Sequence, residues 1–137
     1  MSIEENKNIV RRYQEVYNHN DLDFLNEVLS EDLLTPNIMP RIPPGLEGAK
    51  AAHRMMLAGF PDYQTIIEDI ISEGDKVVAR IKMSGTHTGK FMSIPPTGRR
   101  VSFTGIYIVR IINGKIVEHW GEEDGVGLLQ QLGVLKM

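Results

Sequence analysis

The segment His119-Trp120-Gly121-Glu122-Glu123-Asp124 holds the densest set of side chains in this chain that could move a proton. A carboxyl group beside an aromatic wall loses solvent, and its pKa rises because the charged form is disfavoured. A carboxyl with a raised pKa can act as a general acid or base near neutral pH. The segment therefore indicates acid–base chemistry in an apolar setting, with Asp124 as the first candidate.

Asp124 also fits a purely structural role. Aspartate directly before Gly-Val-Gly-Leu-Leu is a good helix N-cap. The two roles can coexist, since a capping carboxylate can still face a pocket. Glu122 and Glu123 fit surface charges better than pocket groups. The residues alone leave open which of the three carboxylates faces inward.

His119 and Trp120 are neighbours on a predicted strand. Successive side chains of a strand point to opposite faces, so on a regular strand only one of the two enters a concave face. A bulge would break that rule. Both stay candidates, His119 for chemistry and Trp120 for ligand binding.

Other candidate binding residues lie on helices and turns. His53 is the polar residue on an otherwise apolar helix face, which fits a satisfied core histidine or a pocket group. His87 lies where a strand becomes a turn and fits either a pocket or a loop. Four aromatic residues fit the core or a pocket lining, which overlap in such a fold: Tyr17, Phe60, Tyr63 and Phe103.

Several chemistries are excluded or disfavoured. The chain has no cysteine, which excludes a disulfide, a thiolate nucleophile and a Cys-ligated metal. It has no Gly-rich phosphate loop, no Gly-x-Ser-x-Gly elbow and no His-Glu-x-x-His motif. The histidines have no local metal-binding spacing, so we expect no metal. A net charge of −3 does not favour nucleic acid or an anionic membrane as a partner.

No apolar run approaches the ~20 residues that span a bilayer. The acidic N-terminal residues lack an apolar signal core. We therefore expect a cytoplasmic protein that does not enter membranes.

The first sixty residues predict three helices. Ser2-Ile-Glu-Glu5 is typical of a capping box, and the apolar spacing that follows predicts a helix up to Asn18. Asp21 is expected to cap a second, shorter helix that carries Leu29. A proline-rich loop over 36–45 precedes a third helix over 46–58.

The rest of the chain predicts a sheet. Runs rich in Val, Ile, Thr and Tyr cover 64–73, 76–87, 99–112 and 115–122. Asn113-Gly114 between two such runs is the strongest short signal for a β-hairpin. Three or four long antiparallel strands are expected, and long strands must curl, which leaves a concave face. A short helix over 124–132 follows, closed by a glycine.

The predicted fold class is α+β, with a curved antiparallel sheet packed against N-terminal helices and a pocket at the mouth. Residues 1–137 are expected to form a single domain. Both faces of the sheet carry apolar residues, since Ile106 and Ile108 alternate with Tyr107 and Val109. A sheet that is apolar on both faces needs a second cover. We expect a homodimer packed sheet to sheet, or a tetramer.

Four motifs resemble the SnoaL-like polyketide cyclases, also called ester cyclases, over essentially the whole chain. They are Gly85-Thr-His-Thr-Gly-Lys-Phe91, Pro95-Pro-Thr-Gly-Arg99, Gly114-Lys-Ile-Val-Glu-His-Trp120 with Asp124, and Gly127-Leu-Leu-Gln-Gln-Leu-Gly133. The resemblance implies a fold like nuclear transport factor two, an α+β cone with a pocket at its open end. It also implies intramolecular aldol cyclisation of a small polyketide-like ester without metal or organic cofactor.

By motif, Asp124 corresponds to the family's general acid/base, and His119 is the next best carry-over, as a hydrogen-bonding pocket group. Two alternatives stay open. One is a non-catalytic module of the same fold that binds a small apolar ligand. The other is a related isomerase, dehydratase or epoxide hydrolase, in which Tyr13 or Tyr17 could donate to an oxyanion.

Overall fold

The structure, a computed structural model, describes residues 2–36 and 41–136. Its helices are α1 (Ile3–His19), α2 (Leu25–Val28), α3 (Gly45–Gly59) and α4 (Gly125–Leu132), with a 3₁₀ turn over Leu22–Phe24. Its strands are β1 (Leu29–Leu34), β2 (Gln64–Glu73), β3 (Lys76–Thr86), β4 (Arg100–Ile112) and β5 (Lys115–Glu123).

The α1 helix begins where the sequence predicts and ends at His19, one residue beyond the predicted end. Ser2 and Glu5 form the reciprocal capping box, which satisfies two backbone amides at the N-terminus. Asn20 ends the helix in the left-handed conformation, at φ 51°. Asn18, in the last turn of α1, forms a two-way hydrogen bond with the backbone of Thr65 in β2, at 2.8 and 3.1 Å. These two hydrogen bonds hold the end of α1 against strand β2.

The predicted second helix is only partly correct. Asp21 makes no capping hydrogen bond with its side chain, and the segment forms a 3₁₀ turn followed by the single-turn helix α2. Leu29 then starts strand β1, which the sequence analysis missed. The loop predicted over 36–45 includes residues 37–40, which lie outside the described residues. The predicted third helix is α3, with one more residue at each end.

The five strands form one sheet in the order β1-β5-β4-β3-β2. The pairs from β2 to β5 are antiparallel neighbours, as predicted, and β1 adds a parallel pair with β5. The β4–β5 hairpin turns at Asn113 and Gly114, whose φ angles of 52° and 79° suit a type I′ turn. The α+β fold class and the curved sheet are therefore confirmed.

The sheet has a buried inner face and an exposed outer face. Along β4, side chains alternate between buried and exposed, with Phe103, Tyr107 and Val109 on the buried side. The α1 helix packs against β2, α3 packs against β1, and α4 packs against β4. These helices cover the inner face and form the core with it. Among the described residues, no helix is long and apolar enough to cross a membrane.

Candidate active site

A β-bulge in β5 decides which side chains enter the inner face. Ile111 pairs with Ile116, but Arg110 pairs with Glu118, so Val117 is an extra residue. A shift of one residue moves every later side chain of a strand to the other face. After the bulge, His119 therefore lies opposite the buried Val109 on the inner face, while Trp120 lies opposite the exposed Ile108.

The inner face borders a pocket of about 380 Å³ between the sheet, α1 and α3. Its walls are mainly apolar, with Met55 and Met56 from α3 and Met83 from β3. All four tyrosines of the chain line it, namely Tyr13, Tyr17, Tyr63 and Tyr107. The histidine and glutamate residues that line the pocket are His53, His119, Glu122 and Glu123. The pocket combines a large apolar surface with few polar groups, as small-molecule sites usually do.

Two histidines stack on tyrosine rings in this pocket. The rings of His53 and Tyr17 are 4.0 Å apart between centroids and lie within 7° of parallel. The rings of His119 and Tyr107 are 4.9 Å apart and 27° from parallel. Tyr13 meets both histidine rings edge-on. Packed aromatic rings with defined rotamers give a rigid wall, which suits the binding of a flat ligand.

Burial keeps both histidines neutral. Desolvation lowers the pKa of His53 and of His119 from 6.5 to about 4 in each case. The Nδ1 of His53 lies 2.9 Å from the carbonyl oxygen of Ala49 and donates to it. Its Nε2 is then an acceptor, and it is buried with no hydrogen-bond partner among the described residues. A ligand donor that reached this nitrogen would satisfy it.

The four tyrosines are hydrogen-bond donors rather than acids. Burial raises the pKa of each hydroxyl well above its ordinary value of 10. The Tyr107 hydroxyl donates to Oε1 of Gln14 at 2.7 Å, so its hydrogen already has an acceptor within the protein. Phenol groups that stay protonated can donate to a developing oxyanion.

Glu123 is the carboxylate that the bulge brings to the pocket. It lies opposite Gly105 of β4, and a Cβ at Gly105 would sit 3.2 Å from Glu123 Cγ. The missing side chain at Gly105 therefore leaves room for the glutamate. The Glu123 side chain is exposed, but it lines the pocket, where protein atoms replace part of the bulk solvent around its carboxyl. This desolvation raises the pKa of its carboxyl above 4.5.

Asp124 lies next to this carboxylate but faces away from the core. It is exposed, and its Oδ1 accepts a hydrogen bond of 2.9 Å from the Gly127 amide at the start of α4. The helix-capping role that the sequence favours is therefore present. Asp124 does not itself line the pocket, but its neighbours Glu123 and Gly125 do, and we call this position the pocket rim.

Four of the nine residues proposed from sequence do not reach the pocket. Trp120 is on the outer face, 46% exposed, and its Nε1 donates to Glu118. Phe60 and Phe103 are buried in the core. His87 is fully buried under the 86–99 loop, where its Nδ1 accepts from the amide of Thr97. Its role is to hold that loop in place.

The remaining candidates are brought together: Tyr17, His53, Tyr63 and His119 line the pocket, with Asp124 at its rim. From sequence, Glu123 was expected on the surface, and Tyr107 and Gln14 were not among the expected site residues. The bulge at Val117 is the feature that places Glu123 at the pocket. No local sequence pattern around Val117 predicts this bulge. Within residues 2–36 and 41–136, no three His, Asp or Glu side chains cluster closely enough to hold a metal ion.

Comparison with known proteins identifies the relatives of this chain. The family model described as SnoaL-like polyketide cyclase matches residues 7–132. The aklanonic acid methyl ester cyclase DauD of Streptomyces sp. (strain C5) is 33% identical over 129 residues, which cover 91% of this chain and 80% of DauD. The nogalonic acid methyl ester cyclase of Streptomyces nogalater is 31% identical over 122 residues, covering 85% of this chain and 89% of that enzyme.

The solved structure of TsrD from Streptomyces laurentii superposes with a TM-score of 0.90 at 34% identity. The match covers 98% of this chain and 99% of TsrD. Fold and sequence therefore agree with these relatives over most of the chain. The chain belongs to the SnoaL-like polyketide cyclase family of enzymes.

Proposed function

We propose that this protein closes a ring in a small polyketide-like ester by intramolecular aldol condensation. The observation that carries the proposal is an apolar pocket, rimmed by carboxyl groups and lined by phenol donors, in a chain of a cyclase family. Two relatives are named as cyclases of aklanonic and nogalonic acid methyl esters, which suggests a related ester as the substrate.

In the proposed reaction, Asp124 removes the acidic proton between two carbonyl groups of the substrate. The enolate attacks a second carbonyl of the same molecule, which forms the new carbon–carbon bond and an alkoxide. Tyr13 and Tyr17 donate hydrogen bonds to the enolate oxygen, and the neutral imidazole of His119 supplies another polar contact. The carbon proton is already acidic, so we propose that neither a metal nor an organic cofactor takes part.

Most of the rate enhancement is expected to come from positioning. The walls of stacked aromatic rings and methionines hold a flexible chain in a folded shape. Such positioning can supply up to about 7–11 kcal/mol. Proton transfer by a fixed carboxyl adds a factor of roughly 10²–10⁴.

A carboxyl among buried tyrosines also suits double-bond isomerisation, which needs a base and oxyanion donors. This second candidate is separated from cyclisation by the product. Cyclisation gives a new ring of unchanged mass that NMR identifies, whereas isomerisation moves a double bond without forming a ring. A non-catalytic binding module would return the ligand unchanged.

We further propose that the protein is a homodimer in which the outer sheet faces of two copies pack together. Support comes from the exposed apolar side chains on that face, Ile106, Ile108 and Ile112, with Trp120 beside them. Isolated exposed apolar residues are ordinary, but neighbours on one face are typical of an interface.

The variants Asp124→Asn and Asp124→Ala test the proposed reaction, with aklanonic acid methyl ester as the probe. Asparagine still caps a helix, so D124N is expected to fold with unchanged stability and lose about 10²–10⁴-fold in turnover. D124A is expected to lose the same activity and about 1 kcal/mol of unfolding free energy.

The measurements are product formation by mass spectrometry and NMR, and chemical denaturation. The proposal fails if the wild type does not cyclise the ester. The assignment of Asp124 fails if D124N cyclises at the wild-type rate.

A further inference from the structure

Two adjacent carboxylates at the end of β5 meet different surroundings. Asp124 is at the rim and bonded to a backbone amide, whereas Glu123 lies on the inner face of the sheet. Two carboxyl groups held in different environments commonly divide the acid and base steps of a reaction. The bulge at Val117 places Glu123, rather than Glu122, opposite Gly105 on the inner face.

We infer that Glu123 is a second catalytic carboxyl of this pocket, the general acid that protonates the alkoxide formed when the ring closes. The inference rests on the proposed function. It assigns removal of the carbon proton to Asp124 and delivery of a proton to oxygen to Glu123.

The surroundings of Glu123 support this role. Glu123 lines the same pocket as Tyr13, Tyr17 and Tyr63. Burial raises the pKa of these three hydroxyls, and the nearby Glu123 carboxyl adds to the rise. Desolvation raises the pKa of Glu123 itself, so more of the acid form is present at a given pH. Gly105 has no side chain, and the space above it is occupied by Cγ of Glu123 and Cε of Met83.

The proton balance closes without any co-reactant. Asp124 takes the proton from carbon, and the enolate carbon bonds to the second carbonyl carbon, whose oxygen becomes an alkoxide. The alkoxide takes the proton of Glu123, which leaves a glutamate anion. The proton on Asp124 returns to Glu123 through solvent, and the product has the same atoms as the substrate.

The test separates the two proton transfers. In D₂O, aklanonic acid methyl ester should take up deuterium at its acidic carbon through the base step, and it should cyclise only if the alkoxide is protonated. Both rates are measured in one reaction by mass spectrometry, above the rates in buffer. The variants are E123Q, D124N and the matched control E118Q.

Glu118 is a suitable control because it is on the same strand but on the outer face, bonded to Trp120 and Arg110. E123Q is expected to lose about 10²–10⁴-fold in cyclisation while it keeps deuterium uptake. D124N should lose both rates, and E118Q should keep both. Circular dichroism and thermal denaturation show whether each variant is folded.

Cyclisation by E123Q at the wild-type rate would overturn the inference, and so would equal loss of both rates in folded E123Q. A wild type that does not cyclise the ester contradicts the proposed function itself, and the role of Glu123 falls with it. If the wild type cyclises the ester and E123Q does so equally well, the proposed function stands and only the role of Glu123 is wrong.

Discussion

His53 is a buried histidine that stacks on Tyr17 and keeps one nitrogen without a partner. Its pKa is about 4 in the folded protein and 6.5 as its ordinary value. As the pH falls below 6.5, the unfolded chain takes up a proton on this residue that the folded protein does not. The free energy of unfolding therefore decreases between about pH 6.5 and pH 4, and the effect levels off below pH 4.

We predict that this single histidine lowers the free energy of unfolding by about 2 kcal/mol between pH 7 and pH 5. His53→Gln should remove that contribution, so its stability should depend less on pH than that of the wild type. The raised pKa of Glu123 acts with the opposite sign, since it disfavours folding as the pH rises. The difference between variant and wild type isolates the histidine.

Urea denaturation at the two pH values measures this difference. His19→Gln is the matched control, because His19 is exposed at the end of α1. An identical pH dependence in H53Q and wild type would contradict the neutral, buried state of His53.

At the scale of single elements, boundaries with strong local chemistry were predictable. The capping box at Ser2, the turn at Asn113-Gly114 and the glycine that ends α4 each require particular residues, and all three were identified from sequence. Strand β1 was missed because, among the described residues, it pairs with the distant, parallel β5. No local pattern reports such a pairing.

The bulge at Val117 is the element-scale feature that assembles the site. In a regular hairpin with the turn at Asn113-Gly114, Trp120 would share the inner face and His119 would point outward. The sequence could show that only one of the two faces inward, but not which. The long-range packing of the strands determines the answer.

Insertion of one valine after Val117 should shift every later residue of β5 by one position relative to β4, which places Trp120 opposite Tyr107 on the inner face. We expect the Trp120 fluorescence to shift to shorter wavelength as the indole becomes buried, and turnover to fall by at least about 10²-fold as the Glu123 carboxyl leaves the inner face. Deletion of Val117 is the control, because it removes the extra residue and leaves His119 opposite Val109 and Trp120 opposite Ile108. Unchanged emission and activity in a folded insertion variant would contradict this account of how the register of β5 sets the faces.

At the scale of the whole molecule, the outer face of the sheet is the surface that one copy of the chain leaves exposed. Ile108 and Trp120 are paired neighbours there, 42% and 46% exposed. The pattern of alternating apolar residues in β4 was readable from sequence, as was the layer of helices on the inner side. The residues that line the pocket were less predictable, because core residues and pocket-lining residues are chemically alike.

Ile108→Glu should convert the proposed dimer to a monomer, because an unpaired charge in an apolar interface is strongly unfavourable. Size-exclusion chromatography with light scattering measures the mass of each species. Ile3→Glu, a change at an exposed apolar residue on α1, should leave the dimer intact. A dimer that persists in I108E would exclude this face as the interface.

Glu123 lines the pocket of this cyclase-family enzyme, and desolvation raises the pKa of its carboxyl. The most direct measurement of this state is an NMR titration of glutamate side-chain carboxyl carbons, with E123Q to assign the signal. We predict that the signal missing in E123Q titrates with a pKa above 4.5, and that a bound cyclic product shifts it. A pKa at or below 4.5 that no ligand perturbs would show that Glu123 is an ordinary surface carboxyl outside the site.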